Sequence, residues 1–270
     1  MATINSIFKP TGTIEGFTIY KRHDSDKVIM RKKGGPKKAR IASGKEFEKL
    51  RKHQEEWSGC VLFSRKVCTA VGDLYPLRDM NLSAAWTGLG KKLTGLDTKN
   101  ETGTRAIQLT SYKEALVDFN FCRKTPLMTL LRLTPLYEID REQMQAVVRY
   151  PRINTASDLL NSSNLPYFRL VAALGCVSDL KFQKSLFSNY AELNDELNGL
   201  SISVAGAWLS TNDIIENQEL TLVFEEKFRE KLTGDISLLL SVGVEFGTVG
   251  FGGKIETMKR TGAAKIVAVF

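Results

Sequence analysis

Ile236-Ser-Leu-Leu-Leu-Ser-Val-Gly-Val-Glu-Phe246 is the stretch on which the fold turns. Ile236, Leu238, Leu240, Val242, Val244 and Phe246 occupy every second position, and Ser237, Leu239, Ser241, Gly243 and Glu245 fill the gaps. Successive side chains of an extended backbone point to opposite faces, so this spacing lines one side of a strand with six apolar groups. Shorter alternations recur at Tyr167 to Gly175, Ser201 to Trp208, Glu219 to Phe224 and Ala264 to Phe270, with a further strand at Met144 to Tyr150. Turn formers such as Asn161-Ser-Ser-Asn164 and Ser210-Thr-Asn-Asp213 separate them. The pattern predicts an antiparallel, β-sandwich-like domain over residues 135–270, with Lys265-Ile-Val-Ala-Val-Phe270 tied into its sheet.

Before Pro135 the apolar period is helical. Phe47, Leu50, Gln54, Trp57, Val61, Ser64, Cys68 and Val71 recur at steps of three and four. That spacing predicts a long helix with these residues as its core stripe, and Glu46, Glu48, Glu55 and Glu56 among the charges of its other faces. Ser43-Gly-Lys-Glu46 has the spacing of a capping box, and Gly59 marks a candidate bend. A second helix is expected over Asn81 to Leu96 through Leu82, Ala85, Trp86, Leu89, Leu93 and Leu96. Gly88, Gly90 and Gly95 weaken it or admit a close neighbour. Ser111-Tyr-Lys-Glu114 predicts a third, short helix behind another capping box. The expected class is α+β: a basic hairpin and arm over 1–42, a helical region over 43–134, and the β-rich domain.

The charge is unevenly placed. Met1 to Lys66 holds 16 Lys and Arg against 7 Asp and Glu, whereas the other 204 residues hold 22 against 23, so the excess belongs to the N-terminal quarter. A hairpin is expected where Phe17-Thr-Ile-Tyr-Lys-Arg22 and Lys27-Val-Ile-Met-Arg-Lys32 flank His23-Asp-Ser-Asp26. Phe17, Ile19, Val28 and Met30 supply its apolar side, and Tyr20, Arg22, Arg31 and Lys32 a charged one. In Arg31-Lys-Lys-Gly-Gly-Pro-Lys-Lys-Ala-Arg40 six of ten residues are basic and none is acidic. Gly34-Gly35-Pro36 interrupts any helix or strand there, which predicts a flexible arm. Lys21, Arg22, Arg31, Lys32, Lys33, Lys37, Lys38 and Arg40 are the candidate polyanion-binding residues, with Phe17 and Tyr20 as candidate stacking residues.

Gly16-Phe-Thr-Ile-Tyr20, Val28-Ile-Met-Arg31, the Lys/Pro/Arg segment and the helix after it together resemble the N-terminal module of uncharacterised proteins from Bacteroidota genomes. Those proteins carry a Gly-rich hairpin, a basic Arg-x-Lys-Pro stretch and a helix ahead of a β-rich domain. The resemblance covers about the first 70 residues. Lys45-Glu-Phe-Glu48 stands where those proteins have a Gln-rich helix start. The resemblance implies an architecture and no activity.

Catalytic motifs are not recognised. Gly247-Thr-Val-Gly-Phe-Gly-Gly-Lys254 is rich in glycine, but a phosphate-binding loop would need glycine at Thr248 and a hydroxyl residue at Ile255. It reads instead as a loop between two strands. His23 and His53 are the only histidines, and no Gly-x-Ser-x-Gly elbow occurs. Cys60, Cys68, Cys122 and Cys176 form no C-x-x-C pair and read as reduced, mostly buried thiols. No metal site, cofactor motif, membrane span or secretory signal is recognised.

These readings lead to a non-enzymatic structural protein, cytoplasmic or within a particle assembled there. In it, homo-oligomers form through the β-rich domain, and the basic N-terminal segment contacts a polyanion or a neighbouring subunit. The alternative is a nucleic-acid-binding protein that combines phosphate contacts with aromatic stacking. An enzyme whose pocket is assembled from distant residues comes third.

Overall fold

The computed structural model describes residues 2–4, 10–21, 26–32, 34–185 and 188–270 and divides the chain into two units, Met1–Arg51 and Lys52–Phe270. In the first unit β1 (Ala2–Ile4), β2 (Gly12–Ile14), β3 (Phe17–Lys21) and β4 (Val28–Lys32) form an antiparallel sheet in the order β1-β4-β3-β2. Glu15 and Gly16 join β2 to β3 with φ of 45° and 81°. Two consecutive positive φ values define the tight turn whose twist matches the flanking strands, and the glycine makes it inexpensive. Ile19, Val28 and Ile29 are buried.

β4 ends before Gly34-Gly35-Pro36, as the breakers require, but the residues after them are ordered. Lys38–Ser43 forms a short helix, α1. Arg51 Nη1 donates to the carbonyls of Ile41 (2.6 Å) and Gly44 (2.8 Å), holding the end of α1 against the start of the next helix. The expected flexible arm is therefore partly helical. The expected capping box does not form. Ser43 is the last residue of α1 and its hydroxyl donates to Ala39 O, while Glu46 pairs with Arg40 at 3.0 Å. A serine inside a helical turn bonds back to the carbonyl four residues earlier, which leaves nothing for the following helix.

The long helix α2 runs over Glu48–Ala70 without a break at Gly59, and α3 over Leu82–Leu96 with Asn81 capping it through the Ala84 N–H. The second capping box is also absent: Lys113–Ala115 is a single 3-10 turn without a side-chain cap. The strands follow as β5 (Leu136–Asp140), β6 (Gln145–Asn154), β7 (Tyr167–Ser178), β8 (Leu180–Phe182), β9 (Tyr190–Glu192), β10 (Ser201–Ala205), β11 (Leu209–Ser210), β12 (Ile214–Val223), β13 (Ile236–Val249), β14 (Ile255–Thr257) and β15 (Ala263–Val269). β7 and β13 pair over twelve residues at the centre of a six-stranded antiparallel sheet. β10 and β11 lie outside β7, and β14 and β15 outside β13. A three-stranded sheet, β12-β6-β5, packs against one face.

Between the two sheets lie Phe168, Leu170, Ala172 and Leu174 of β7 and Ile236, Leu238, Leu240, Val242, Val244 and Phe246 of β13, facing Ala146, Val148 and Tyr150 of β6 and Leu220 and Leu222 of β12. This is the sandwich that the alternation predicts. The opposite face of the large sheet is also covered. Val171, Ala173 and Val177 of β7 and Leu239, Ala264 and Ile266 pack with Cys60, Phe63, Val67 and Ala70 of α2 and with Trp86 and Leu93 of α3. Ser237 and Ser241 are buried, and at Gly243 a Cβ would fall 2.9 Å from Ala263 O and 3.1 Å from Leu77, so the backbone packs closely there.

The N-terminal half of the stripe expected to bury α2 is on the surface. Leu50, Trp57 and Val61 are 41%, 50% and 40% exposed, whereas the stripe's Ser64 and Val71 are buried as expected, together with Glu56, Gly59, Cys60, Phe63, Val67 and Ala70 outside it. The reason is steric. The sheet and α3 admit a row of small residues, and side-chain size along the true contact row is invisible to a count of apolar positions. Gly59 lies under the Tyr190 ring, where a Cβ would fall 2.7 Å from it, and Gly90 lies against Cys60 and Phe63, where a Cβ would meet atoms at 3.2 Å. Gly59 marks close packing rather than a bend, and Gly90 admits a close neighbour.

Candidate polyanion interface

Antiparallel register decides which side chains share a face in the N-terminal sheet. Phe17 pairs with Lys32, Ile19 with Met30 and Lys21 with Val28, so these six lie on one face. Thr18 pairs with Arg31 and Tyr20 with Ile29, on the other. Phe17 and Tyr20 therefore point to opposite sides, as odd and even positions of a strand must. The Arg31 guanidinium lies 5.5 Å from the Tyr20 ring centroid. Lys32, expected on the charged side, stands beside Phe17, which is 39% exposed.

Among the eight candidate basic residues, Arg22 and Lys33 lie outside the described residues, as does His23. Lys21 pairs with Asp26 at 2.7 Å, and Arg40 with Glu46. Lys32, Lys37 and Lys38 are exposed and make no ion pair among the described residues. Lys37 and Lys38 stand at the start of α1 and Arg40 one turn on, so the basic groups are spread over both faces of the sheet and a short helix. Recounted by unit, Met1–Arg51 holds 13 Lys and Arg against 5 Asp and Glu, and Lys52–Phe270 holds 25 of each. The whole formal charge of +8 resides on the smaller unit.

The most strongly organised ionic cluster was not legible in the sequence. Glu56 of α2 is fully buried. Its carboxylate accepts Arg105 Nε (2.7 Å) and Nη2 (2.8 Å), the Gly103 N–H (2.8 Å) and the Lys91 ammonium, with His53 Nδ1 at 3.9 Å. Burial alone would raise its pKa, but the bonds from Arg105, Gly103 and Lys91 outweigh it and hold the carboxyl at about 2. The arrangement ties α2 to α3 and to the 103–105 loop. Both carboxylate oxygens of Glu56 are occupied by these donors, so the cluster acts as a fastening.

The thiols offer no nucleophile. Desolvation pushes Cys60 and Cys122 up to about 11 and Cys176 to about 12, and it also raises Cys68, which is hydrogen-bonded to Tyr75. In the stretch 247–254, Gly247 to Val249 end β13 in pairing with β14 and residues 250–254 form the loop between them, with Phe251 fully exposed at its tip. Among the described residues no group of three or more His, Cys, Asp or Glu side chains could hold a metal ion, and no helix is long and apolar enough to cross a membrane. Compared with protein-family models, curated proteins and solved structures, the chain matches none.

Proposed function

We propose that the protein is a structural, assembly-forming subunit whose basic N-terminal unit engages a polyanion or the surface of a neighbouring subunit. The observation that carries this reading is the segregation of charge. A unit of 51 residues carries all of the +8, while the larger unit balances its charges. Lys32, Lys37 and Lys38 spend no charge on carboxylates among the described residues, and a set of unpaired cations gains most from phosphate or carboxylate groups supplied by a partner. The assembly half of the reading is supported by Trp57 and Val61, one turn apart on α2 and both at least 40% exposed. The resemblance of the first 70 residues to Bacteroidota proteins agrees with a modular N-terminal unit.

The nucleic-acid reading keeps the phosphate contacts but loses the paired aromatic platform, because Phe17 and Tyr20 face apart. Replacing Lys32, Lys33, Lys37, Lys38 and Arg40 together by Gln tests both readings. Wild-type chain should bind a single-stranded oligonucleotide with log K falling against log salt at a slope of about −3 to −4 if all five contact phosphates. The variant should lose that binding and keep its melting temperature. Light scattering on the two proteins separates the partners. Assemblies that persist after nuclease treatment and vanish in the variant identify a neighbouring subunit as the anionic surface. Oligonucleotide binding retained by the variant, with unchanged assembly, overturns the proposal.

A further inference from the structure

The second unit contains a cleft of about 940 Å³ whose lining comes from stretches far apart in sequence, among them Tyr75 to Met80 after α2, Cys122 with Lys124, the turn around Asn161, Glu245 of β13, and Met258 to Gly262 between β14 and β15. We infer that this cleft binds a small molecule bearing two or more adjacent anionic groups, phosphate or carboxylate, held by Arg78, Lys124, Lys259 and Arg260. The site is separate from the basic N-terminal unit and does not depend on the assembly reading.

The argument begins with the balance of charges that face the cleft. Its two carboxylates are already satisfied. Asp79 accepts the backbone N–H groups of Arg123 (2.8 Å) and Lys124 (2.7 Å), one on each oxygen, and Glu245 is held by Arg169 at 2.6 Å. The four cations make no ion pair among the described residues. Arg78 is nevertheless positioned: its guanidinium stacks 3.8 Å from the Tyr75 ring centroid and Nη1 donates to Tyr75 O at 2.7 Å. A stacked, tethered guanidinium loses little freedom when it meets an anion, which makes it the natural anchor.

A second observation concerns Arg260. Its φ is +65°, in the left-handed region that Gly and Asn occupy more cheaply than a long side chain does. The turn is otherwise well secured, since the Met258 N–H donates to Phe246 O and Thr261 Oγ1 to Met258 O, both at 2.8 Å. The fold thus maintains an arginine in a costly conformation at the rim of a cleft that already has three unpaired cations. Cys122, at the cleft floor, is 6% exposed and its thiol points to Leu77 O at 3.5 Å. Burial keeps it protonated, so the cleft binds rather than attacks.

The test is calorimetric titration of the full chain with inorganic tripolyphosphate, and in a second arm with citrate, at low salt and at about 0.15 M. The expected result is saturable one-to-one binding in at least one arm, and the arm that binds identifies phosphate or carboxylate as the recognised group. The triple variant Lys124→Gln, Lys259→Gln, Arg260→Gln should weaken it at least about a hundredfold, as three charge-assisted contacts of roughly fivefold to tenfold each require. Arg260→Asn should weaken binding without lowering the melting temperature, because Asn tolerates the left-handed backbone; a purely structural arginine would lower it. The five-residue N-terminal variant should bind as wild type. Absence of saturable binding in both arms, undiminished binding in the triple variant, or loss of binding in the N-terminal variant overturns the inference.

Discussion

Gly175→Ala is expected to lower the melting temperature of the full chain by about 10 °C, corresponding to about 3–5 kcal/mol for a unit of this size. Gly175 lies in the middle of β7, paired with Ser201 on one side and Leu239 on the other. A Cβ there would fall 1.8 Å from the carbonyl oxygen of Ala70, the last residue of α2. Both partners are backbone held in regular structure, so no rotamer change relieves the overlap. The helix end must leave the sheet, and the packing of Val67, Ala70 and Val71 against Ala173 and Leu239 loosens with it. Gly88→Ala is the matched control. Gly88 lies in α3 with nothing within 4 Å of the added methyl, and the change should stabilise by about 0.5–1 kcal/mol through helix propensity. Thermal unfolding followed by circular dichroism measures both. A Gly175→Ala protein melting within about 2 °C of the parent would show that α2 does not rest on β7 as described.

Glu56→Gln should cost about 3 kcal/mol at neutral pH, and that cost should shrink in acid. The amide leaves Arg105 and the partly exposed Lys91 facing a neutral group at a fully buried position, and breaking a buried ion cluster on one side is expensive. The pH dependence follows from the direction of the shift. The carboxyl titrates near its ordinary value of about 4.5 in the unfolded chain and at about 2 in the folded protein. A depressed folded pKa contributes stability that is fully present above about 4.5 and is lost as pH falls toward 2. The gap between wild type and Glu56→Gln should therefore narrow by about 2 kcal/mol between pH 7 and pH 3. Asp179 runs the other way, since burial raises its pKa against the bonds from Thr110, but it is common to both proteins and cancels in the difference. Urea midpoints at the two pH values provide the comparison; an equal gap at both would mean that Glu56 is not ionised against Arg105.

Several features were legible in the residues because they depend on local geometry alone. The alternation from Ile236 to Phe246 reports the two-residue repeat of an extended chain, and every second residue does enter the inter-sheet core. Asn81 and the Leu82–Leu96 spacing define α3 in the same way, and Gly34-Gly35-Pro36 separates β4 from α1. The basic excess of the N-terminal quarter is a matter of composition, and it stays on the smaller unit wherever the strands go.

What required the tertiary structure was the choice between faces and partners. The Phe47–Val71 stripe has correct helical spacing, yet α2 buries only its Ser64 and Val71 end and otherwise turns in Gly59, Cys60, Phe63, Val67 and Ala70, a row in which the small Gly59 and Ala70 let its neighbours approach. Phe17 and Tyr20 look adjacent in the chain but are separated by strand alternation once the β3–β4 register is set. Glu56 and Arg105 are 49 residues apart, and Arg78, Lys124 and Arg260 reach one cleft from separate parts of the chain through turns with no motif. Local periodicity and charge composition are properties of neighbouring residues and survive any fold. The burial of one helix face, the pairing of distant charges and the shape of a cleft depend on which segments meet, and only the packed chain decides that.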